Sequence, residues 1–191
     1  MPRLVLGKFA LTLFLLLAAP AWAQTEEART LAIDGGASIA YKLRRYAPEA
    51  VRATPAKELA PKSALDTARL LSLHLSAGDI EEAALLSNAP RRRFEELVNF
   101  KNTYGDEEFK RVFADYFDPR NSLVGEIVID KRSLLVWRLN VPSKSGEPKT
   151  YFAGQYFVDV DGRFLVDDVP NDGRTQLRWV LEAYRSGKLQ P

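Results

Sequence analysis

The hydrophobic period of this chain switches from helical to strand spacing at Asp118-Pro119, and that switch restricts what it can build. Upstream, apolar residues recur at intervals of three and four: Ala64, Ala68, Leu71 and Leu75, then Phe94, Leu97 and Val98, then Phe109, Val112, Phe113 and Tyr116. This spacing draws one apolar stripe along a helix. Pro119 has no amide hydrogen and cannot continue a helix. Downstream the period is two, through SLVGEIVID (122–130), SLLVWRLNV (133–141), TYFAGQYFVDV (150–160) and RFLVD (163–167). Alternation of that kind is a strand with two faces. The strands are short and joined by tight turns at Lys131-Arg132 and Asp161-Gly162, so they predict an antiparallel meander. Helices followed by a meander make an α+β fold in which helices cover one face of the sheet.

Local signals mark the ends of these elements. Gly78 closes a helix over 64–76, and Asp79 with Glu82 three positions later predicts a capping box for the next. Asn88 and Pro90 open a third helix, and Asp106 opens a fourth. After the meander, Asn171 or Asp172 caps a last helix, with Leu177, Val180, Leu181 and Tyr184 on one face and Gly187 past its end. Ahead of these helices, TLAIDGGASIAYKL (30–43) alternates on both sides of a glycine pair and predicts a β-hairpin. Between hairpin and helices, Pro48, Pro55 and Pro61 make a semi-rigid connector with single helical turns at most.

The first residues are an address. Arg3 and Lys8 precede an apolar run over Phe9–Ala19, and Ala21-Trp22-Ala23 supplies a small-x-small cleavage site. This is the order of a secretory signal peptide, and the run is shorter than the roughly 20 residues needed to span a bilayer. The expected organisation is therefore a signal peptide at 1–23, a hairpin arm and connector at 24–63, and an α+β domain at 64–191, exported to the periplasm or beyond. The leader holds two of the 27 basic residues and none of the 25 acidic ones, which leaves 25 against 25 in the remainder. A chain so balanced lacks the basic surplus that displaces counterions from phosphates, so nucleic acid is not an expected partner. With no cysteine, an exported chain folds without disulfides, thiolate metal sites or a lipidated N-terminal cysteine.

The stretch LDTARLLSLHLSAGDIEEAALLS (65–87), a long helix, a Gly-Asp break and a short second helix ahead of a meander, resembles the opening of the nuclear-transport-factor-2-like superfamily, also called the ketosteroid-isomerase or SnoaL-like cone. The resemblance spans about residues 64–168. It implies a curved sheet of four or more strands wrapped into a cone, to which the N-terminal hairpin and the C-terminal helix are additions. Members of such a superfamily include isomerases, dehydratases, hydrolases and proteins without catalysis, so the site has to decide the function.

Alternation assigns Leu123, Ile127 and Ile129, then Leu135, Trp137, Leu139 and Val141, then Phe152, Tyr156, Val158 and Val160 to the inner face. Glu126, Asp130, Arg138, Asn140, Gln155 and Asp159 fall on the other, unless a bulge intervenes. The expected interior holds the Tyr156 hydroxyl and no carboxylate. Trp137, Phe152 and Tyr156, closed by Phe109 or Phe113, would line a pocket for a small apolar ligand. His74 is the one histidine and the one candidate acid–base residue. It stands at the margin of its helix's apolar face, with Asp66 and Asp79 off its helical neighbourhood, so it reads as a boundary residue.

DVDGRF (159–164) fails the ligand spacing of a calcium loop, and solvated acids ahead of a helix explain Asp167, Asp168 and Asp172, so neither metal nor cofactor is expected. Arg91-Arg92-Arg93 can pair with Glu95 and Glu96 four positions on. No G-x-S-x-G or glycine-rich phosphate loop occurs.

Val124, Val128, Leu134, Val136, Tyr151 and Phe157 fall on the second face. Burying six such side chains is worth about 9–18 kcal/mol gross, so something must cover them: the last helix, the hairpin, or another chain, either a second copy or an envelope protein. The hairpin could instead offer a strand to a partner's sheet edge. The sequence points to a non-catalytic binding or interaction module with an apolar pocket. The alternatives are an isomerase- or lyase-like enzyme using His74, and a purely structural envelope component.

Overall fold

Gly35 and Gly36 stand at φ +86° and +80°, left-handed backbone that a tight reversal requires. They fold β1 (Thr25–Ala32) back on β2 (Ser38–Arg45), with Arg29 opposite Tyr41 and Leu31 opposite Ile39. The computed structural model describes residues 25–33, 35–52, 60–141 and 149–190; the expected leader lies outside them. Of the connector's described residues, Pro48–Arg52 forms the short helix α1, and Pro55 lies outside them.

Helix α2 covers Ala64–Ala77. Ser63 caps it by accepting the Asp66 amide at 3.1 Å, which satisfies a donor that the first turn leaves free. Gly78 ends it at φ +87°, with the Asp79 amide donating back to the His74 carbonyl at 2.8 Å. The short α3 (Ile80–Ala84) follows without a side-chain capping bond from Asp79, so the expected box is not formed. Then come α4 (Pro90–Tyr104), α5 (Asp106–Ala114) and one 3-10 turn at Asp115–Phe117. The meander is β3 (Ser122–Ile129), β4 (Arg132–Val141), β5 (Lys149–Val160) and β6 (Arg163–Val166). Helix α6 (Asp172–Arg185) closes the chain, capped by Asn171, which accepts the Arg174 amide. The β3–β4 turn is Asp130-Lys131, one residue earlier than the spacing suggested, with Asp130 at φ +52°. Asp161 and Gly162 form the β5–β6 turn at φ +52° and +81°.

The protein is α+β, with six α-helices and one six-stranded sheet among the described residues. Every strand lies antiparallel to its sequence neighbours, in the order β1-β2-β3-β4-β5-β6. The N-terminal hairpin belongs to this sheet, because Lys42–Arg44 of β2 pairs with Glu126–Val128 of β3. No helix among the described residues is long and apolar enough to cross a membrane.

Each face of the sheet has its own core. On one, α2 to α5 pack Leu71, Leu75, Leu97 and Phe109 against Leu135, Trp137, Phe157 and Val166. On the other, α6 packs Leu177, Val180, Leu181 and Tyr184 against Val124, Ile127, Leu134 and Val136, with Leu31, Ile39, Tyr41 and Leu43 from the hairpin. The last helix and the hairpin together thus cover the second face.

A bulge between Leu123 and Gly125 decides which β3 residue faces which core. An extra residue there reverses the alternation downstream. Leu123 stays on the α2 side, whereas Ile127 and Ile129 move to the α6 side. Glu126, opposite Leu135, is thereby turned toward the α2 face and is 1% exposed. Gly125 is required at this point, because a Cβ would stand 2.8 Å from the Arg44 carbonyl oxygen.

Candidate functional site

Strand β6 pairs with β5 only from Phe157 to Val160, so the preceding half of β5 has β4 as its one strand partner among the described residues. The Asp167 amide makes the last bond to β5, donating to the Tyr156 carbonyl at 2.8 Å, and a polar latch fixes where the chain goes from there. Residues 86–88 run parallel to the end of β6: the Val166 amide donates to the Leu86 carbonyl at 2.7 Å and the Asn88 amide to the Val166 carbonyl at 3.0 Å. The Asn88 side chain donates to Asp167 Oδ1 at 2.8 Å and accepts the Asp168 amide at 2.9 Å. Ser87 Oγ donates to Asp168 Oδ2 at 2.7 Å. Both carboxylates are buried, not solvated as their place ahead of a helix suggested; an unpaired charge there would be costly, and both are matched by arginine. Arg132 Nε donates to Asp167 Oδ2 at 3.2 Å, and Arg93 Nε stands 3.4 Å from Asp168 Oδ2, at ion-pair range without hydrogen-bond alignment.

Beside this latch lies a cleft of about 260 Å³ at the free edge of β5. Leu71, Phe113, Phe157 and Val166 make its apolar lining, and Arg93, Tyr116, Gln155 and Arg174 its polar one, with the two aspartates. Trp137 Nε1 donates to Gln155 Oε1 at 2.9 Å, which leaves the amide NH2 of Gln155 as the free end. The Arg174 guanidinium lies 5.1 Å from the centre of the Tyr156 ring, a cation–π distance. Arg174 has no carboxylate partner among the described residues. Nε of both Arg93 and Arg174 is buried without a hydrogen-bond acceptor. Burial pushes the Tyr116 phenol above its ordinary pKa, with Arg93 and Arg185 pulling the other way. Burial likewise raises Tyr156 against the pull of Arg178, Arg174 and Arg185.

Counting spare hydrogen-bonding capacity tells what the cleft can hold. Asp167 is occupied by Asn88, Arg132 and Asn171, and Asp168 Oδ2 by Ser87. The unused groups are mainly donors: the Arg174 guanidinium, the Arg93 N–H groups not turned to Asp168, and one amide NH2. Arg93 is set against Asp168, and Asp167 is paired with Arg132 from outside the lining, so Arg174 is the lining guanidinium without a carboxylate partner. A donor-rich cleft with an apolar floor suits an anion with an apolar body.

A second polar cluster lies between β2, β3 and β4. Tyr46 Oη donates to Glu126 Oε2 and Ser133 Oγ to Glu126 Oε1, each at 2.5 Å, and Arg44 Nη1 stands 3.7 Å away. Burial, then the Glu126 charge and hydrogen bond, push the Tyr46 phenol far above its ordinary value. The neighbouring cavity of about 90 Å³, between Tyr46, Val51, Tyr116, Phe117 and Trp137, does not reach Glu126. This carboxylate joins strands and faces no ligand space. The expectation of an interior without carboxylates is corrected accordingly, and the β3 bulge is the cause.

The five residues expected to line one aromatic pocket are divided by the sheet. Phe109, Phe113 and Trp137 belong to the α2 side, Phe152 and Tyr156 to the α6 side. Register explains the split, because Trp137 stands opposite Ala153 and Phe152 opposite Arg138. Of the six residues expected on the second face, Val124, Leu134 and Val136 are buried beneath α6, whereas Phe157 is buried on the α2 side. Val128 is half-buried and Tyr151 is 51% exposed. His74 is 26% exposed, its Nδ1 4.0 Å from Asp79 Oδ2, and it lines neither cavity. Among the described residues no three histidine, aspartate or glutamate side chains gather as metal ligands. In the sequence Arg93 and Asp167-Asp168 stand apart, and nothing in their spacing joins them to Gln155 or Arg174. No family model, curated protein or solved structure matches this chain.

Proposed function

We propose that this protein is an exported, non-catalytic binding module of the cell envelope that holds a small organic anion with an apolar body in the cleft beside β5. Export rests on the charged, apolar and small-residue order of residues 1–23. A cone-like ancestry is consistent with a helix–break–helix opening ahead of a meander. The observation that carries the binding reading is Arg174: a guanidinium without a carboxylate partner, its Nε buried without an acceptor, beside Tyr156 in a half-apolar cleft. An arginine so placed keeps unused donors in a setting where each charge-assisted bond is worth about twice a neutral one. The volume lies below the 300–1,000 Å³ usual for drug-sized ligands, so the ligand is of the size of a simple aromatic or short-chain acid. Acid–base chemistry has little support, because His74 stands outside the cleft and the aspartates are committed to the latch.

Benzoate and benzyl alcohol have nearly the same shape and differ in charge, which makes them suitable probes. Benzoate at about ten times its dissociation constant should add about 1.4 kcal/mol of stability, raising the melting temperature by about 3–5 °C in a chain of this size. Benzyl alcohol should do much less. Arg174→Gln should abolish the benzoate shift, and His74→Ala should leave it intact. Equal responses to both probes, or a full benzoate response in Arg174→Gln, would overturn the proposal.

A further inference from the structure

Strand β1 is an outer edge of the described sheet, and its backbone direction can be read from two bonds. The Ile33 amide donates to the Ala37 carbonyl at 3.0 Å, so the odd-numbered residues of β1 turn their N–H and C=O groups toward β2. The even-numbered ones, Glu26, Ala28, Thr30 and Ala32, turn theirs outward, since neighbouring residues of a strand alternate in this respect. Lys188 Nζ confirms the parity by donating to the Ala32 carbonyl at 2.8 Å from outside the hairpin. On the α6 side of the same strand, Arg29 pairs with Glu27 two residues away at 2.7 Å, both partly exposed.

We propose that two copies of this chain join through β1, antiparallel, about a two-fold axis at Ala28. In that register Ala28 faces Ala28 of the partner subunit and Glu26 faces Thr30 of the partner subunit, so outward backbone groups meet outward backbone groups. Glu27 then faces Arg29 of the partner subunit, and the two-fold repeats the contact. These are non-hydrogen-bonded pairs, in which opposed side chains approach most closely. An axis at Glu27 would set Glu27 against its own copy, and an axis at Arg29 would set arginine against arginine; like charges in direct opposition are destabilising. An axis at Thr30 leaves both charges without an opposite. Edge strands are usually blunted by charge, but opposite signs spaced two apart are self-complementary under a two-fold axis and do not repel a second copy. Beside the joint, Leu31, Ile33, Ala183 and the 45%-exposed Trp179 border an open groove on the α6 side. The two-fold axis places both such grooves on one face.

Sedimentation velocity on the purified protein over about 1–200 µM tests this, a range suited to a small interface. The wild type should pass from monomer to dimer as concentration rises. Glu27→Arg, at an exposed position, and Arg29→Glu, at a partly exposed one, should each weaken self-association by about tenfold or more, through arginine against arginine in one case and glutamate against glutamate in the other. Mixed together, the two variants should restore association as a 1:1 heterodimer. Ala28→Pro removes an outward N–H without touching the β1–β2 bonds and should be monomeric, with circular dichroism reporting that each variant is folded. A wild type that stays monomeric throughout, a dimer unaffected by both charge reversals, or charge variants that fail to associate when mixed would each overturn the proposal.

Discussion

Replacing Glu126 with leucine tests whether the carboxylate buried between β2, β3 and β4 holds the hairpin to the meander. The change keeps a side chain of similar size and removes the acceptor of two hydrogen bonds, from Tyr46 and Ser133. Bonds to a charged acceptor contribute about 1.5–3 kcal/mol each, and relief from burying a charge offsets part of the loss. Arg44 is not stranded, because it keeps Glu26 at 2.7 Å. The net expectation is a loss of about 2–4 kcal/mol, or a melting temperature lower by about 5–15 °C. Glu126→Gln retains one acceptor and the shape, and the two hydroxyls can turn to accept from its amide, so its cost should be about 1 kcal/mol. Urea unfolding followed by tryptophan fluorescence and circular dichroism measures both variants. The midpoint should fall with an unchanged slope, since the surface exposed on unfolding stays the same. A double-mutant cycle of Tyr46→Phe with Ser133→Ala should show coupling, because both hydroxyls act on one carboxylate. A leucine variant as stable as the wild type would refute the reasoning, because the buried ion would then add no stability over an apolar side chain.

Two glycines and five tyrosines yield further measurements. Gly125→Ala and Gly154→Ala should each lose about 1–3 kcal/mol in the same unfolding assay, as overpacked sites do. Gly125 should cost more, because its added carbon meets the Arg44 carbonyl, whereas that of Gly154 meets only the ends of Leu134 and Leu181. Burial raises the phenols of Tyr41, Tyr46, Tyr116, Tyr156 and Tyr184 above their ordinary value. A raised folded-state value means the fold holds its proton more tightly than the unfolded chain does. The stabilisation is therefore complete below about pH 10, where the unfolded phenol titrates, and is lost as pH climbs through the folded values. Stability measured across pH 9–12 should fall steadily above about pH 10, and Tyr46→Phe should flatten part of that slope; a curve flat to pH 12 would contradict it.

Where local chemistry decided the structure, the residues announced it. Gly78 ends α2 and Asn171 caps α6 as their types require. The glycine pair at 35–36 closes the first hairpin, and the period of two marks all four strands of the meander. Helix α6 was also expected against the second face, because an apolar stripe of Leu177, Val180, Leu181 and Tyr184 has to be buried somewhere. What could not be read locally was the relation between strands. Phe152 and Tyr156 alternate correctly along β5, yet whether they share a face with Trp137 depends on register, which no residue within β5 states. A one-residue difference in pairing moves both rings to the far side of the sheet.

The β3 bulge shows why this uncertainty falls on polar residues in particular. Alternation alone sends Glu126 outward with the other charged residues. The strand takes up its extra residue at Val124, beside Gly125 pressed against the Arg44 carbonyl, and so turns that carboxylate inward. Once inside, Glu126 has to be satisfied, and the two hydroxyls that do so come from Tyr46 at the end of the hairpin and Ser133 on β4, 80 and 7 positions away. The cleft beside β5 is assembled in the same way. Arg93 arrives from α4, Gln155 from β5, and Arg174 from the first turn of α6, brought together because β6 stops short and the Asp167-Asp168 latch turns the chain across the sheet edge. A strand of four residues leaves part of its longer neighbour's edge without a strand partner among the described residues. The length of β6, bounded where Asp167 gives its last amide to the Tyr156 carbonyl and its carboxylate to Asn88 and Arg132, is therefore what opens the cleft in this fold.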